Sequence, residues 1–157
     1  MAGTLTPERT PRRLCELSAD ARAAVLLDAA GTPAGCHGVT PGRSRDLAQL
    51  ARTTFEAVDR AHRDIPGGPP EQVEIQVDRG TVYASRTPTW TLAVVARRTA
   101  LSSLMLMDLR AVLGELEGGT PIRRSTAAEA AAATVAEATE EAAARESPVP
   151  ELGVEEL

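Results

Sequence analysis

Two short runs constrain this chain more than anything else in it. Ala23-Ala24-Val25-Leu26-Leu27-Asp28 is one; Trp90-Thr91-Leu92-Ala93-Val94-Val95-Ala96-Arg97 is the other. Both are apolar at nearly every position. A strand turns successive side chains to opposite faces, so a run without polar alternates is a strand covered from both sides. Two such strands belong in the centre of a sheet, and helices must then lie on both of its faces.

The remaining segments supply those helices and the outer strands. Thr10-Pro11 reads as a helix start, a capping hydroxyl followed by Pro at the first helical position. Leu14 and Leu17 fall on one side of the short helix that follows. Ala29-Ala30-Gly31-Thr32 turns the first central strand into a weak one around Ala34–Gly38, whose glycines suit an edge or a distorted strand. Arg43–His62 is the clearest helix. Leu47, Leu50, Ala51, Thr54, Phe55, Val58 and Ala61 share one face at helical spacing, with Arg45, Arg52, Glu56, Asp59, Arg60 and Arg63 opposite. Pro66-Gly67-Gly68-Pro69-Pro70 ends it.

Val73-Glu74-Ile75-Gln76-Val77-Asp78 alternates strictly, which wets one face and places the strand at an edge. Arg79-Gly80 reads as a two-residue hairpin loop with Gly supplying positive φ, and Thr81–Arg86 returns. Thr87-Pro88-Thr89 turns the chain into the second central strand. Thr99 is then placed to cap a helix from Ala100 to about Glu117, with Leu101, Met105, Leu109, Val112, Leu113 and Leu116 as its apolar stripe. Met105 fits the core, whereas Met107 lies near the polar side, in solvent or in an interface. The order is helix, two strands, helix, three strands, helix. It predicts an α/β (α+β) fold: a three-layer α-β-α sandwich around a five-stranded, mostly antiparallel sheet.

Charge divides the chain further. Residues 1–124 carry 16 Arg against 14 Asp and Glu, while residues 125–157 carry 1 Arg against 8 Glu. Every basic residue is Arg, a planar fork suited to carboxylates and phosphates. The expected organisation is a flexible N-terminus over 1–9, a domain over 10–117, and an Ala/Glu-rich acidic tail over 118–157, disordered or transiently helical. An acidic tail and aromatics at only 2% argue against nucleic-acid binding. MAGTLTPERTPRR has no apolar signal core, and no run approaches the roughly 20 apolar residues of a membrane span. Cys15 and Cys36 make no disulfide framework. Together these point to a cytoplasmic protein with reduced thiols.

Three stretches, "AAVLLDAAGTPAGCHG", "VEIQVDRGTVYASR" and "LAVVARRTALSSLMLMDLRAVLGEL", give the chain a family likeness. The first is an apolar strand, an acidic residue, a glycine turn and a small-residue strand. The second is a hairpin with Asp-Arg-Gly at its turn, and the third a central strand running into the last helix. In this order they resemble the roadblock (dynein light chain type) domain, a family of regulators of Ras-like small GTPases, over about residues 10–117. The resemblance implies a roadblock/profilin-like fold without enzymatic activity that homodimerises and docks small GTPases. Some bacterial relatives assist GTP hydrolysis by such a partner.

The residues are consistent with that expectation. Val73, Ile75 and Val77 lie on an edge strand with no protecting Pro or Lys, ready to pair with a second copy. The resemblance implies that the apolar face of Arg43–His62, with Leu47, Leu50 and Phe55, packs near the same two-fold axis. Arg45, Arg52 and Arg63 line the solvated face and are candidate partner contacts. Arg97-Arg98 either flank the last helix or make a contact of their own.

Catalytic, metal and cofactor chemistry is not expected. Cys36-His37 are adjacent on a strand and point to opposite faces, which does not build a nucleophile–base pair. His62 is the only other His, too few for a metal site. Gly31, Gly35 and Gly38 are not followed by the Lys a phosphate loop requires. The reading is a homodimeric scaffold or regulator that binds a Ras-like small GTPase. The alternative is a structural adaptor subunit in a multiprotein complex without a nucleotide switch.

Overall fold

The computed structural model describes residues 4–120. Its elements are a 3-10 turn Pro7–Arg9, α1 (Thr10–Leu17), β1 (Ala21–Leu27), β2 (Pro33–His37), α2 (Pro41–His62), β3 (Gln72–Val77), β4 (Gly80–Arg86), β5 (Thr91–Ala96) and α3 (Ser102–Leu116). The five strands form one sheet in the order β2-β1-β5-β4-β3. Every neighbouring pair is antiparallel, so the expected sheet is antiparallel throughout.

The doubly apolar runs have their expected cause. β5 is the middle strand and β1 lies beside it. Ala24, Leu26, Leu92 and Val94 join Leu14 of α1 and Met105, Leu109 and Val112 of α3 in one buried cluster. Val25, Leu27 and Ala93 face the other way, into a cluster with Leu47, Ala48, Ala51 and Phe55 of α2. α1 and α3 therefore cover one face of the sheet and α2 the other. Each large aliphatic side chain so buried contributes about 1.5–3 kcal/mol. β4 is buried along its length as well, although Thr81, Tyr83 and Ser85 make it look polar. The Tyr83 hydroxyl lies 3.2 Å from Ser102 Oγ at the start of α3, which satisfies both groups.

Several boundaries differ from the sequence expectation. Thr10 does not cap α1, because the chain is already turning at Pro7; the Thr10 hydroxyl donates back to the Thr6 carbonyl at 2.8 Å. Residues 4–9, expected as a flexible lead-in, thus carry that 3-10 turn, and its Pro7 carbonyl lies against Gly35 of β2. The β3–β4 loop is Asp78-Arg79, since Val77 pairs with Gly80. Gly80 has no positive φ; it is a strand residue under the Ala96 carbonyl, where an added Cβ would lie 2.6 Å from the oxygen. Thr99 makes no cap either. An Ala100 N–H to Arg97 carbonyl turn delays α3 to Ser102, with Leu101 at its N-cap and largely exposed. Residues 121–157 of the expected acidic tail lie outside the described residues.

Two polar locks hold the helices. Arg13 donates Nε and Nη2 to the two carboxylate oxygens of buried Glu115, at 3.0 Å each, and ties α1 to α3. Arg86, at the end of β4, takes both oxygens of Asp59 and so ties α2 to the sheet. Among the described residues, no helix is long and apolar enough to cross a membrane.

Candidate protein-interaction surfaces

The sheet has two edges, and they are unlike. β2 begins with Pro33, and the turn at Pro7–Arg9 packs against it. β3 pairs with β4 on one side and, among the described residues, with nothing on the other. Pro69 and Pro70 precede it and none lies within it, so its outer backbone groups form an open ladder. The wet-and-dry alternation along it is set by the neighbouring layer. Val73 and Ile75 are half-buried against the α2-side cluster, whereas Val77 is 48% exposed.

α2 carries a second pattern beside its core face. Leu47, Leu50, Thr54, Ala57 and Ala61 follow a 3-4-3-4 spacing, that of a helix–helix seam. Leu47 sits at the boundary and is 7% exposed, while Leu50 is 39% exposed and Ala57 and Ala61 are on the surface. Leu47 and Leu50 form one wall of an apolar groove of about 750 Å³ whose floor is Ala23, Val82 and Val95. The structure thus brings Leu47 and Leu50 over β1, β5 and β4, on the same face of the sheet as Val73 and Ile75 of β3. Phe55 is different. It is 4% exposed, inside the protomer, with the Arg86 guanidinium 4.4 Å from the ring centroid.

The opposite flank of α2 holds the arginines. Arg45, Arg52 and Arg63 are spaced by 7 and 11 residues, close to whole helical turns, and all three are exposed. Arg52 is anchored: it donates to Gln49 Oε1 at 3.1 Å, lies 3.6 Å from Glu56, and its stem covers Gly31 in the β1–β2 turn. Among the described residues, Arg45 and Arg63 hold no carboxylate.

Below Arg52 is a cleft of about 480 Å³ between the C-terminal half of α2 and the β1–β2 and β4–β5 turns. The first turn is fixed by Asp28, whose Oδ1 accepts the N–H groups of Ala30 and Thr32 at 2.9 Å. The second is fixed by Thr87, whose Oγ1 accepts from Trp90 N at 3.1 Å. Arg86 closes the cleft. It donates Nη1 to Asp59 Oδ2 at 2.8 Å and Nε to the Pro70 carbonyl at 2.9 Å. Its hydrogen bonds hold the Asp59 carboxyl below the usual carboxylate range. Sequence reasoning missed this role for Arg86, and a strand-terminal Arg ahead of a Thr-Pro turn carries no signal of its helix partner.

The sulfur and imidazole groups are dispersed. Cys36 and His37 are both exposed on β2. Burial pushes the Cys15 thiol up, with Glu16 adding to it. His62 Nε2 lies 2.7 Å from the Gly68 carbonyl and helps close the loop after α2. Among the described residues, no group of three or more His, Cys, Asp or Glu is placed to hold a metal ion.

Comparison with known proteins places this geometry among others. The family model described as "Roadblock/LC7 domain" matches residues 13–96. Among solved structures, a Roadblock/LC7 domain from Streptomyces avermitilis is similar at 22% identity, over 73% of this chain and 97% of that one, with a TM-score of 0.66. Myxococcus xanthus MglB is similar at 16% identity, over 71% of this chain and 81% of that one, with a TM-score of 0.57. A profilin from Schizosaccharomyces pombe shares the fold at 11% identity, over 72% of this chain and 98% of that one, with a TM-score of 0.50. No curated protein matches the chain.

Proposed function

Since the chain belongs to the Roadblock/LC7 domain family, we propose that it is a non-enzymatic homodimer that binds and modulates a Ras-like small GTPase. The observation that carries this reading is the meeting of an open sheet edge with an apolar helix seam on one side of the molecule. A two-fold axis normal to the sheet, pairing β3 with the β3 of a second copy, joins two five-stranded sheets into one. The same axis keeps both α2 helices on one face, antiparallel, with their Leu47–Ala61 seams towards each other. The groove beside Leu50 then receives the partner's seam, and the small Ala57 and Ala61 allow close approach.

Such a body acts on chemistry by holding another protein's switch loops. A loop ordered by a γ-phosphate presents a different surface in each nucleotide state. A scaffold shifts that equilibrium only by its differential affinity for the two surfaces. Arg45, Arg52 and Arg63, on the flank away from the seam, stay open in this dimer and are the contacts assigned to the GTPase.

Light scattering at protein concentrations of about tens of micromolar, where common dimer affinities are saturated, is expected to return twice the chain mass. Titration with the cognate GTPase, loaded with a non-hydrolysable GTP analogue or with GDP, is expected to show a preference for one state. A monomer sinks the edge-and-seam reading. Equal affinity for both states leaves an adaptor without a nucleotide switch.

A further inference from the structure

One end of the sheet gathers five arginines. Ala21 and Thr81 both pair with Ala96, and Val77 pairs with Gly80, so Arg22, Arg79, Arg97 and Arg98 leave the sheet at the same end. Arg43, in the first turn of α2, borders the same groove as Arg22, and Arg98 borders a smaller hollow with Gln76 and Asp78. All five are exposed. Among the described residues, none of them lies within ion-pair distance of a carboxylate, whereas Arg12, Arg13, Arg52, Arg86 and Arg110 each hold one. Among the described residues, Asp20, Asp46 and Asp78 stand near that end without an ion pair, against five unpaired arginines, so it carries a positive excess.

We propose that this end is a docking face for an acidic segment of a partner protein, with Arg79, Arg97 and Arg98 at its centre and Arg22 and Arg43 beside them. The proposal does not rest on the GTPase reading. Charge complementarity carries it. A guanidinium takes a carboxylate through two parallel donors, and these five have no ion pair to give up on binding. The interleaved aspartates favour a protein over a polyphosphate. A nucleic-acid strand sets a phosphate against each of them at a regular spacing that it cannot vary. A protein segment can instead set a neutral or basic residue opposite each aspartate. No Phe, Tyr or Trp stands at this end to stack a base, since Phe55 and Tyr83 are buried and Trp90 lies at the other end of β5.

The test is fluorescence anisotropy on the full chain with a labelled peptide of alternating Glu and Gly. Oligothymidine and phosphatidylserine vesicles serve as the competing probes. The peptide is expected to bind at roughly 50 mM salt and to be released at roughly 300 mM. Arg97→Glu/Arg98→Glu is expected to weaken it by at least about tenfold. Arg9→Glu/Arg60→Glu, away from that end, is expected to change it by less than about twofold. Arg97→Gln/Arg98→Gln repeats the measurement without adding negative charge, should the first variant not fold. No peptide binding, equal losses in the two Glu variants, or tighter binding of oligothymidine or vesicles than of peptide would each overturn the proposal.

Discussion

Gly80 opens β4, one position beyond the two-residue β3–β4 loop. The Asp-Arg-Gly triplet suggests a glycine needed for its φ. The structure uses it for its missing Cβ, because the Ala96 carbonyl occupies that space. Backbone cannot step aside as a flexible side chain can. Gly80→Val is therefore expected to lose about 1–3 kcal/mol, read from the urea midpoint. The Arg86–Asp59 pair gives a pH signature. Asp59 has a lowered carboxyl pKa in the fold, so its contribution is present above the unfolded carboxylate pKa of about 3.9 and fades as pH falls towards the folded value. Asp59→Asn should flatten the acid limb of stability. The effect should stay below about 1 kcal/mol, because the Asp59 side chain is 43% exposed and screened by solvent. The two thiols should also separate. Cys36 is exposed, while Cys15 is half-buried with its thiol pushed up, so an alkylating reagent near neutral pH should modify Cys36 first. Mass spectrometry showing Cys15 modified first would contradict this placement.

At the scale of elements, α2 carries two messages in one stretch. Its core face was legible because Leu47, Ala51 and Phe55 repeat at helical spacing and do end up buried. The seam was hidden inside the same list. Leu50, Thr54 and Ala61 look like core by period, yet Leu50 stays 39% exposed and Ala61 lies on the surface. Periodicity gives direction around a helix but not the width of what it packs on. Leu50→Arg follows from this. It should leave the melting temperature within a few degrees of wild type, as an exposed substitution does, and turn the proposed dimer, read by light scattering, into a monomer. A dimer that survives it would remove the seam from the interface. Helix starts were the least legible boundaries. Thr10 and Thr99 have the chemistry of caps, but a 3-10 turn before one and a tight turn after the other moved the true ends.

For the whole molecule, layer order was readable because it follows from one physical demand, the covering of β1 and β5 on both faces. Strand order was readable only in part: the wet alternation of Val73–Asp78 marked an edge, but nothing in Thr81–Arg86 announced that β4 is interior. The arginine-rich end of the sheet was unreadable, since Arg22, Arg79 and Arg97 are scattered along the sequence and share an end only through register, with Arg43 brought beside Arg22 by α2. That register has a kinetic consequence. β3, β4 and β5 follow one another closely, and β1 and β2 form their own hairpin, but the ladder joining β1 to β5 pairs Ala21 with Ala96 and Leu27 with Thr91. More than 60 residues separate these partners in the chain. Bringing them together costs loop-closure entropy before any packing rewards it, so the closing of this joint should limit the rate of refolding. In stopped-flow experiments Val25→Ala, at the joint, should mainly slow refolding. Val73→Ala, on the outer strand, should mainly speed unfolding. The opposite partition would mean that the sheet grows inward from β3, and that the two halves are joined only after the barrier is crossed.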